Sequence, residues 1–439
     1  MRTIQDLQQM QGLPLSVKIR MTKTRIREWV HEYGRDGVYV SFSGGKDSTV
    51  LLHLVREDYP DIPAVFVDTG LEYPEIRQFV KTFDNVVWLK PKKNFRQVIE
   101  DYGYPFISKE VSGCVQGARK YLTEILAENS LDRQTDRQMP YRYWYERVTG
   151  TGVYQKHRTR NASPVHVRNE SLVWNDATMQ EHQETPRGGT TASVVNSDEL
   201  ANILNERMVN REGGSNRRLA IMLGMLTRDK EHPIQANIPS KDRSAFSQEK
   251  YKFMLDAPFE ISNKCCNVMK KEPVHRYAKQ TGRKPMTAQM ASESKLRTQK
   301  WLQNGCNGFN LKQPISNPMS FWTEQDVLLY IYQNHLPIAS VYGDVVKETE
   351  VDGQLDFEDL GIFDLGRPTL KTTGCKRTGC MFCGFGCHLE PKGEGRFERL
   401  RVMHPKVYDY IMRPLEDGGL NYKEVIDWLN EHGNLDIRY

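Results

Sequence analysis

The sequence predicts an α/β fold: a doubly wound parallel sheet interrupted by a long insertion and closed by a cysteine-rich C-terminal region. Three observations predict it. Short apolar runs, "VYVSF", "AVFV" and "NVVWL", alternate with helical patterns in the first hundred residues, the βαβαβ rhythm of a parallel sheet. A glycine pair in "SGGKDS" sits where the first run gives way to a helix. Seven of the eight cysteines, at 114, 265, 266, 306, 375, 380, 383 and 387, fall in the second half.

The elements follow in order. Residues 1–36 read as helical, with Val17, Met21, Ile26, Trp29 and Val30 on an apolar face. "VYVSF" is a buried strand, "SGGKDS" a tight loop and "TVLLHLVRE" a helix. "PAVFVDTG" repeats the strand signal, and "YPEIRQFVKTF" gives a helix with proline near its start. "NVVWL" is the third strand. Between about 126 and 255 the chain turns polar, with weak periodicity in "NESLVWNDATMQEHQETPRGGTTASVVNSDE", and reads as an insertion. Within it "RRLAIMLGMLTRD" reads as an ordered helix. Later, "KKEPVHRYAKQTG" and "TEQDVLLYIYQNH" are helical, the second with Thr323 as N-cap and Asp326 three residues on. "VYGDVVKETEVDGQLDFEDLGIFDLG" is acidic and turn-rich. "HPKVYDYIM" and "YKEVIDWLNEHG" close the chain as amphipathic helices.

The 439 residues allow two or three domains. With 38% hydrophobic and 27% charged residues, the chain has no apolar run long enough to span a membrane, and its N-terminus has no signal-like apolar core. A cytoplasmic protein with no membrane partner is expected. The net charge of +5 permits nucleic-acid binding without demanding it. In such a chain clustered cysteines favour metal or redox chemistry over structural disulfides.

"SGGKDS" spans Ser43, Gly44, Gly45, Lys46, Asp47 and Ser48. Glycines let a backbone turn tightly with its N–H groups inward, and a helix N-terminus adds partial positive charge. Lys46 supplies a cation; Ser43 and Ser48 supply hydroxyls. Together they suit a pyrophosphate or phosphosulfate. Lys46 is followed by Asp47, so this is not the G-x-x-x-x-G-K-[ST] pattern. Asp68, with Thr69 and Gly70, ends the second strand, on the edge where parallel sheets bind ligands. A turn or capping role is the alternative for Asp68.

"SFSGGKDST" with "VDTGLEYPE" resembles the PP-loop enzymes, specifically the phosphoadenosine phosphosulfate (PAPS) reductase family. The resemblance continues through "PMSFWTEQDVLLYIYQNHLPIASVYGD" and covers roughly residues 30–110 and 255–390. It implies an adenine-nucleotide hydrolase fold and a substrate of ATP or adenylyl sulfate, with Mg2+ a candidate companion. It also implies the domain plan: 1–125, the first part of the nucleotide-binding domain; 126–255, a polar and basic insertion; 256–345, the remainder of that domain; and 346–439, the cysteine-rich and helical region.

"CCNVMKKEPVHRY" is similar to the paired-cysteine motif of the iron–sulfur adenylyl-sulfate reductases. The resemblance implies a [4Fe–4S] cluster on Cys265, Cys266, Cys380 and Cys383, the last two in "CMFC". Cations such as Lys264, Lys270 and Lys271 would favour thiolates. Spacing leaves rivals open. Cys375, Cys380 and Cys383 have the C-x4-C-x2-C spacing of a plant-type [2Fe–2S] set; with Cys387 or His388 they would form a zinc knuckle. Cys306 is a further alternate, and Cys114 reads as an inert buried thiol.

Two departures from the family pattern matter. The short C-terminal E-C-G-[LI]-H motif, which carries a nucleophilic cysteine, is missing; "GFGCHLE" around Cys387 is a faint echo of it. "MTAQMASESKLR" matches the family's G-x-R-x-x-E-S at Glu293 and Ser294, but Met290 stands where the arginine would be. Arg297, one helical turn past Glu293, is a candidate substitute. Lys46, Asp47 and Arg297 are therefore the candidate catalytic residues, with Ser43–Ser48, Asp68, Thr69, Gly70 and Glu293 binding the nucleotide.

"YRYWYERVTGTGVYQKHRTR", residues 141–160, interleaves cations with aromatic rings. That suits single-stranded nucleic acid, and equally a strand with one buried face. Three functions follow. The first is ATP-dependent, pyrophosphate-releasing sulfur transfer, with a nucleic acid or a sulfur-donor protein as partner. The second is adenylyl-sulfate or PAPS reduction to sulfite. The third is a non-catalytic nucleic-acid-binding protein with a zinc knuckle.

Overall fold

A computed structural model describes residues 2–122, 201, 202, 204, 215–228, 233–235, 238–348 and 369–439. The basic aromatic stretch at 141–160 and most of the acidic segment after Lys347 lie outside the described residues. The chain forms two compact units. One comprises Met1–Phe95 and Cys266–Met381, the other Arg96–Cys265 and Phe382–Tyr439.

The first unit holds a sheet in which the three predicted strands are joined by three that the sequence did not announce. Its strands are β1 (Val38–Ser41), β2 (Ala64–Val67), β3 (Val86–Leu89), β4 (Lys284–Met286), β5 (Asn307–Gly308) and β6 (Ile315–Ser316). They lie in the order β3-β2-β1-β4-β6-β5, and every pairing is parallel except β5 with β6. β1 is central, with Val40 opposite both Ala64 and Met286. Val38, Tyr39 and Val40 are completely buried, which is why this strand reads as a continuous apolar run. From β1 the chain winds outward through β2 and β3, then returns to β4 on the other side. The carboxyl end of β1 is thus a switch point, where an open α/β sheet forms its ligand crevice.

Helices cover the sheet. The predicted N-terminal helix is two, α1 (Ile4–Gly12) and α2 (Leu15–Tyr33), because the chain breaks at Pro14. Ile26, Trp29 and Val30 of α2 are buried as expected. α3 (Lys46–Asp58) follows β1, and α4 (Pro74–Val80) follows β2. A single π-helical turn, Asn267–Lys271, leads into α5 (Glu272–Thr281). α6 (Lys295–Asn304) starts at a Ser294 cap, and α7 (Glu324–Gln333) starts at the predicted Thr323 cap. At that cap Asp326 closes a capping box: its carboxylate accepts from the Thr323 N–H at 2.8 Å.

The Asp326 carboxylate also accepts from Lys18 of α2 at 2.5 Å, and both side chains are buried. The lysine's remaining hydrogens reach the Gln11 carbonyl at 2.6 Å. A buried charge is tolerated when it is paired and hydrogen-bonded in this way. The α2 sequence does not announce it, since Lys18 falls on a face otherwise read as apolar.

The second unit is built around Tyr422 on the helix Tyr422–Gly433. Its buried ring lies among Tyr104, Phe106 and Phe397, and its hydroxyl donates to the Phe382 carbonyl at 2.6 Å. A short parallel pair joins Phe106–Ile107 to Gly384–Phe385. Of the helix predicted for "RRLAIMLGMLTRD" only the first half forms, as Ser215–Met222; the chain then turns at Gly224, and Leu226 and Thr227 make antiparallel bridges to Ile234 and Arg243. Arg119 is buried and donates to the carbonyls of Met254, Ala257 and Phe259, each at 2.8 Å. Among the described residues no helix is long and apolar enough to cross a membrane.

Removing one partner of a buried pair leaves the other charge uncompensated. Lys18→Met is expected to cost about 3 kcal/mol or more, measured as a lower midpoint in urea denaturation. An unchanged midpoint would show that the pair contributes no net stability.

Candidate functional site

The site assembles at the carboxyl end of β1. The sequence reads "SGGKDS" as a loop, but α3 begins at Lys46, so Lys46, Asp47 and Ser48 form its first turn. Gly45 offers this helix no capping side chain; the Lys46 N–H is met by the Tyr342 hydroxyl, and the other first-turn N–H groups point beyond the helix end. Gly44 has φ +70, and a Cβ there would come within 2.8 Å of Ile76 and Val80 on α4. Only glycine fits. The hydroxyls of Ser43 and Ser48 are 3.0 Å apart; that of Ser43 accepts from the Gly45 N–H at 3.3 Å, and that of Ser48 donates to the Gly45 carbonyl at 3.0 Å. The turn is therefore held by its own side chains.

Lys46 is buried. Its ammonium lies 3.3 Å from Glu324 Oε1 and over the ring of Tyr342, 5.4 Å from the centroid. The Tyr342 hydroxyl is hydrogen-bonded to that of Thr378. Burial, ahead of the nearby Asp47, pushes the Tyr342 phenol up to about 12, so it remains a hydrogen-bonding group at neutral pH. Asp47 is held above the usual carboxylate range, first by burial and then by Glu324. Lys46, Arg377 and Arg297 pull the other way.

Arg297 interacts electrostatically with Asp47 of the loop. It is ion-paired to Glu293, whose carboxylate also accepts from the Met290 N–H at 2.9 Å. Burial first, and then Arg377, hold the Arg297 guanidinium below its ordinary pKa, against the pull of Asp47. The Met290 side chain, in place of an arginine, is buried and carries no charge. Asp68 follows the turn reading. One of its carboxylate oxygens pairs with Arg77 at 2.9 Å and the other accepts from the Gly70 N–H at 3.3 Å. Thr69 is bound to Glu72 through both its N–H and its hydroxyl.

Four participants escaped sequence reasoning: Glu324, Tyr342, Arg377 and Thr378. Each lies far along the chain from Lys46, and the last two sit between cysteines that dominate any reading of "GCKRTGC". The two antiparallel strands Val345–Lys347 and Leu370–Thr372 fold that segment back. It is then tied down by the Gly374 N–H to Tyr342 O at 2.8 Å and the Cys375 N–H to Val341 O at 2.9 Å. Gly374 is required there, because a Cβ would lie 2.5 Å from the Val341 carbonyl oxygen. Farther on, the Met381 N–H reaches Leu71 O at 2.8 Å.

The unit boundaries cut both cysteine motifs. In the first unit Cys266 and Cys380 accompany Lys270. Burial acts to lower the pKa of Lys270, but Cys380, then Glu72 and Cys266, outweigh it and hold the ammonium above its ordinary range. Among the three lysines flanking the pair, Lys270 interacts with the thiols of Cys380 and Cys266. In the second unit Cys265, Cys383 and Cys387 all bear on Tyr422, whose phenol is held well above its usual range, chiefly by burial. The thiols fit iron or zinc by chemistry. Yet among the described residues no three metal-ligating side chains converge on a metal-binding arrangement.

The alternates differ. Cys387 donates to the Gly384 carbonyl at 2.9 Å, and burial pushes its thiol up to about 12. Cys306 is also raised by burial, and it lines a cavity of about 370 Å3 with Arg2, Arg25 and Trp301. Cys114 is buried and raised in the same way, as expected of an inert thiol. Cys375 is buried, its carbonyl accepting from the Thr372 hydroxyl at 3.1 Å.

The sequence matches the phosphoadenosine phosphosulfate reductase domain over residues 37–112 and 217–384, more than half of the chain. The chain belongs to this family. Similar proteins include a phosphoadenosine 5′-phosphosulfate reductase of Xylella fastidiosa, 44% identical over 54 residues, which are 12% of this chain and 23% of that one. Another protein of that name, from Photorhabdus laumondii, is 37% identical over 75 residues, 17% and 31% of the two chains. An uncharacterized protein of Methanocaldococcus jannaschii is 32% identical over 125 residues, 26% and 30%. The chain thus spans less than a third of the length of these curated relatives. The PAPS reductase domain match takes in the "SGGKDS" turn, Asp68, Arg297 and the first three cysteines of the C-terminal set, but stops before Cys387.

Two outcomes follow from this geometry. A carboxyl raised by burial favours its protonated form, so Asp47 destabilises the fold progressively as pH climbs from the ordinary carboxylate pKa to its raised one, fully so above that, and not at all in stronger acid. Asp47→Asn is therefore expected to raise the melting temperature at pH 7, with the gain vanishing below about pH 4; an equal gain at both pH values would contradict this. Iodoacetamide at pH 8 is expected to spare Cys387 in the folded protein and to modify the less buried Cys266 and Cys380, as read by peptide mass spectrometry.

Proposed function

We infer that this PAPS reductase-family protein is an enzyme that binds an adenine nucleotide at Ser43–Ser48 and catalyses ATP-dependent sulfur transfer with release of pyrophosphate. One observation carries the reading: a self-braced glycine turn at the switch point of the sheet, with buried Lys46 and the cations Arg297 and Arg377 gathered at its mouth. A nucleophile from the target attacks the α-phosphorus, the bond to the bridging oxygen breaks, and the electron pair leaves with pyrophosphate. The first-turn N–H groups and the Lys46 ammonium stabilise the charge that builds on the leaving oxygens. A sulfur donor then displaces adenylate from the activated target. The resemblance of the paired cysteines and "CMFC" to an iron–sulfur motif supports a [4Fe–4S] cluster as cofactor, with zinc as the alternative.

A second reading, reduction of adenylyl sulfate or PAPS to sulfite, is favoured by the names of the relatives from Xylella fastidiosa and Photorhabdus laumondii. The burial of Cys387 weighs against it as an internal nucleophile, so an external thiol would have to take the sulfonate.

The readings separate in one set of assays on anaerobically purified protein. Pyrophosphate release from ATP, stimulated by a nucleic-acid or protein acceptor, is expected, and Lys46→Ala is expected to reduce it about 100-fold. Sulfite release from adenylyl sulfate with a thiol, and no pyrophosphate from ATP, would establish the second reading instead. Iron and sulfide analysis of the same sample tests the cluster; a colourless zinc protein would rule it out.

A further inference from the structure

Glu324 stands between two cations that come from distant parts of the chain. Its Oε1 is 3.3 Å from Lys46 Nζ, and its Oε2 is 4.0 Å from Arg377 Nη2. The carboxylate is 42% exposed and the Arg377 side chain 66%, so packing locks neither. Nor does α7 need Glu324 as a cap, because Thr323 and Asp326 already cap it. Arg297 brings a second guanidinium close to Arg377. Arg297 already has Glu293 as its partner, but Lys46 and Arg377 divide the one carboxylate of Glu324, so the pair of cations carries net positive charge that suits an anion.

We propose that Arg377, together with Lys46, is a ligand for the phosphoryl or sulfuryl oxygens of the nucleotide, and that Glu324 occupies this place as an internal substitute which the substrate displaces. The proposal rests on the nucleotide-binding reading above and adds its specificity device. A tetrahedral oxyanion offers separate oxygens to the point charge of a lysine and to the planar fork of an arginine, and does so better than a single carboxylate. The exchange needs only side-chain rotation. The backbone carrying Arg377 is fixed on one side by Gly374 and Cys375 and on the other by Met381. The cysteine-rich segment thereby also places a cation over the glycine turn.

Calorimetric titration of the full chain with ATP, and separately with adenosine 5′-phosphosulfate, tests this. The nucleotide that responds identifies whether phosphoryl or sulfuryl oxygens are bound. Glu324→Gln removes the competing charge and is expected to tighten binding about tenfold, the order for one charge lost at contact distance in partly screened surroundings. Arg377→Met is expected to weaken it by about the same factor. Thermal unfolding of each variant confirms that it folds. If Lys46→Ala abolishes binding while Glu324→Gln and Arg377→Met bind as wild type, the nucleotide reading stands and this proposal fails. Weaker binding by Glu324→Gln would also overturn it, since Glu324 would then assist the substrate. If neither nucleotide binds wild type, or Lys46→Ala binds normally, the nucleotide reading itself fails.

Discussion

The buried pair of Lys18 and Asp326 governs how the first unit is put together. It joins α2, near the start of the chain, to the first turn of α7, three hundred residues later. A carboxylate that caps its own helix and neutralises a buried ammonium has little freedom to shift. Because Glu324 lies two residues before Asp326, fixing the helix start also fixes where Glu324 emerges, beside Lys46. A structural ion pair thus sets the electrostatics of the candidate site without touching it.

The site itself combines rigidity with spare charge. Gly44 is wedged against α4, and the serine hydroxyls close the turn on itself. Around this turn stand groups that satisfy one another only partly: Lys46 and Arg377 share Glu324, while Arg297 is divided between Glu293 and Asp47. On the proposed reading, an incoming phosphate would exchange one set of charge contacts for another and need not create them in bare solvent.

The cysteines serve the fold in two ways. Cys375 and its neighbours form a strap that carries Arg377 and Thr378 to the loop, while Cys387 is a buried thiol in the second unit. Proximity in sequence does not sort these roles. Cys265 and Cys266 are adjacent residues assigned to different units, with Lys270 associated with one and Tyr422 with the other.

Without reaching β4, β5 and β6, the sequence by itself determined the first three parallel strands, the glycine turn and the Thr323 cap. These depend on local propensities: β-branched runs, positive φ at glycine, and capping hydroxyls, each readable over a few residues. It also singled out Lys46, Asp47 and Arg297. Only the tertiary structure decided that α3 starts at Lys46, that Asp68 is bound into its own turn with Arg77, and that Glu324, Tyr342, Arg377 and Thr378 belong to the site. Those assignments depend on contacts between segments hundreds of residues apart. They are set by packing and by the pairing of buried charge, which no local pattern encodes.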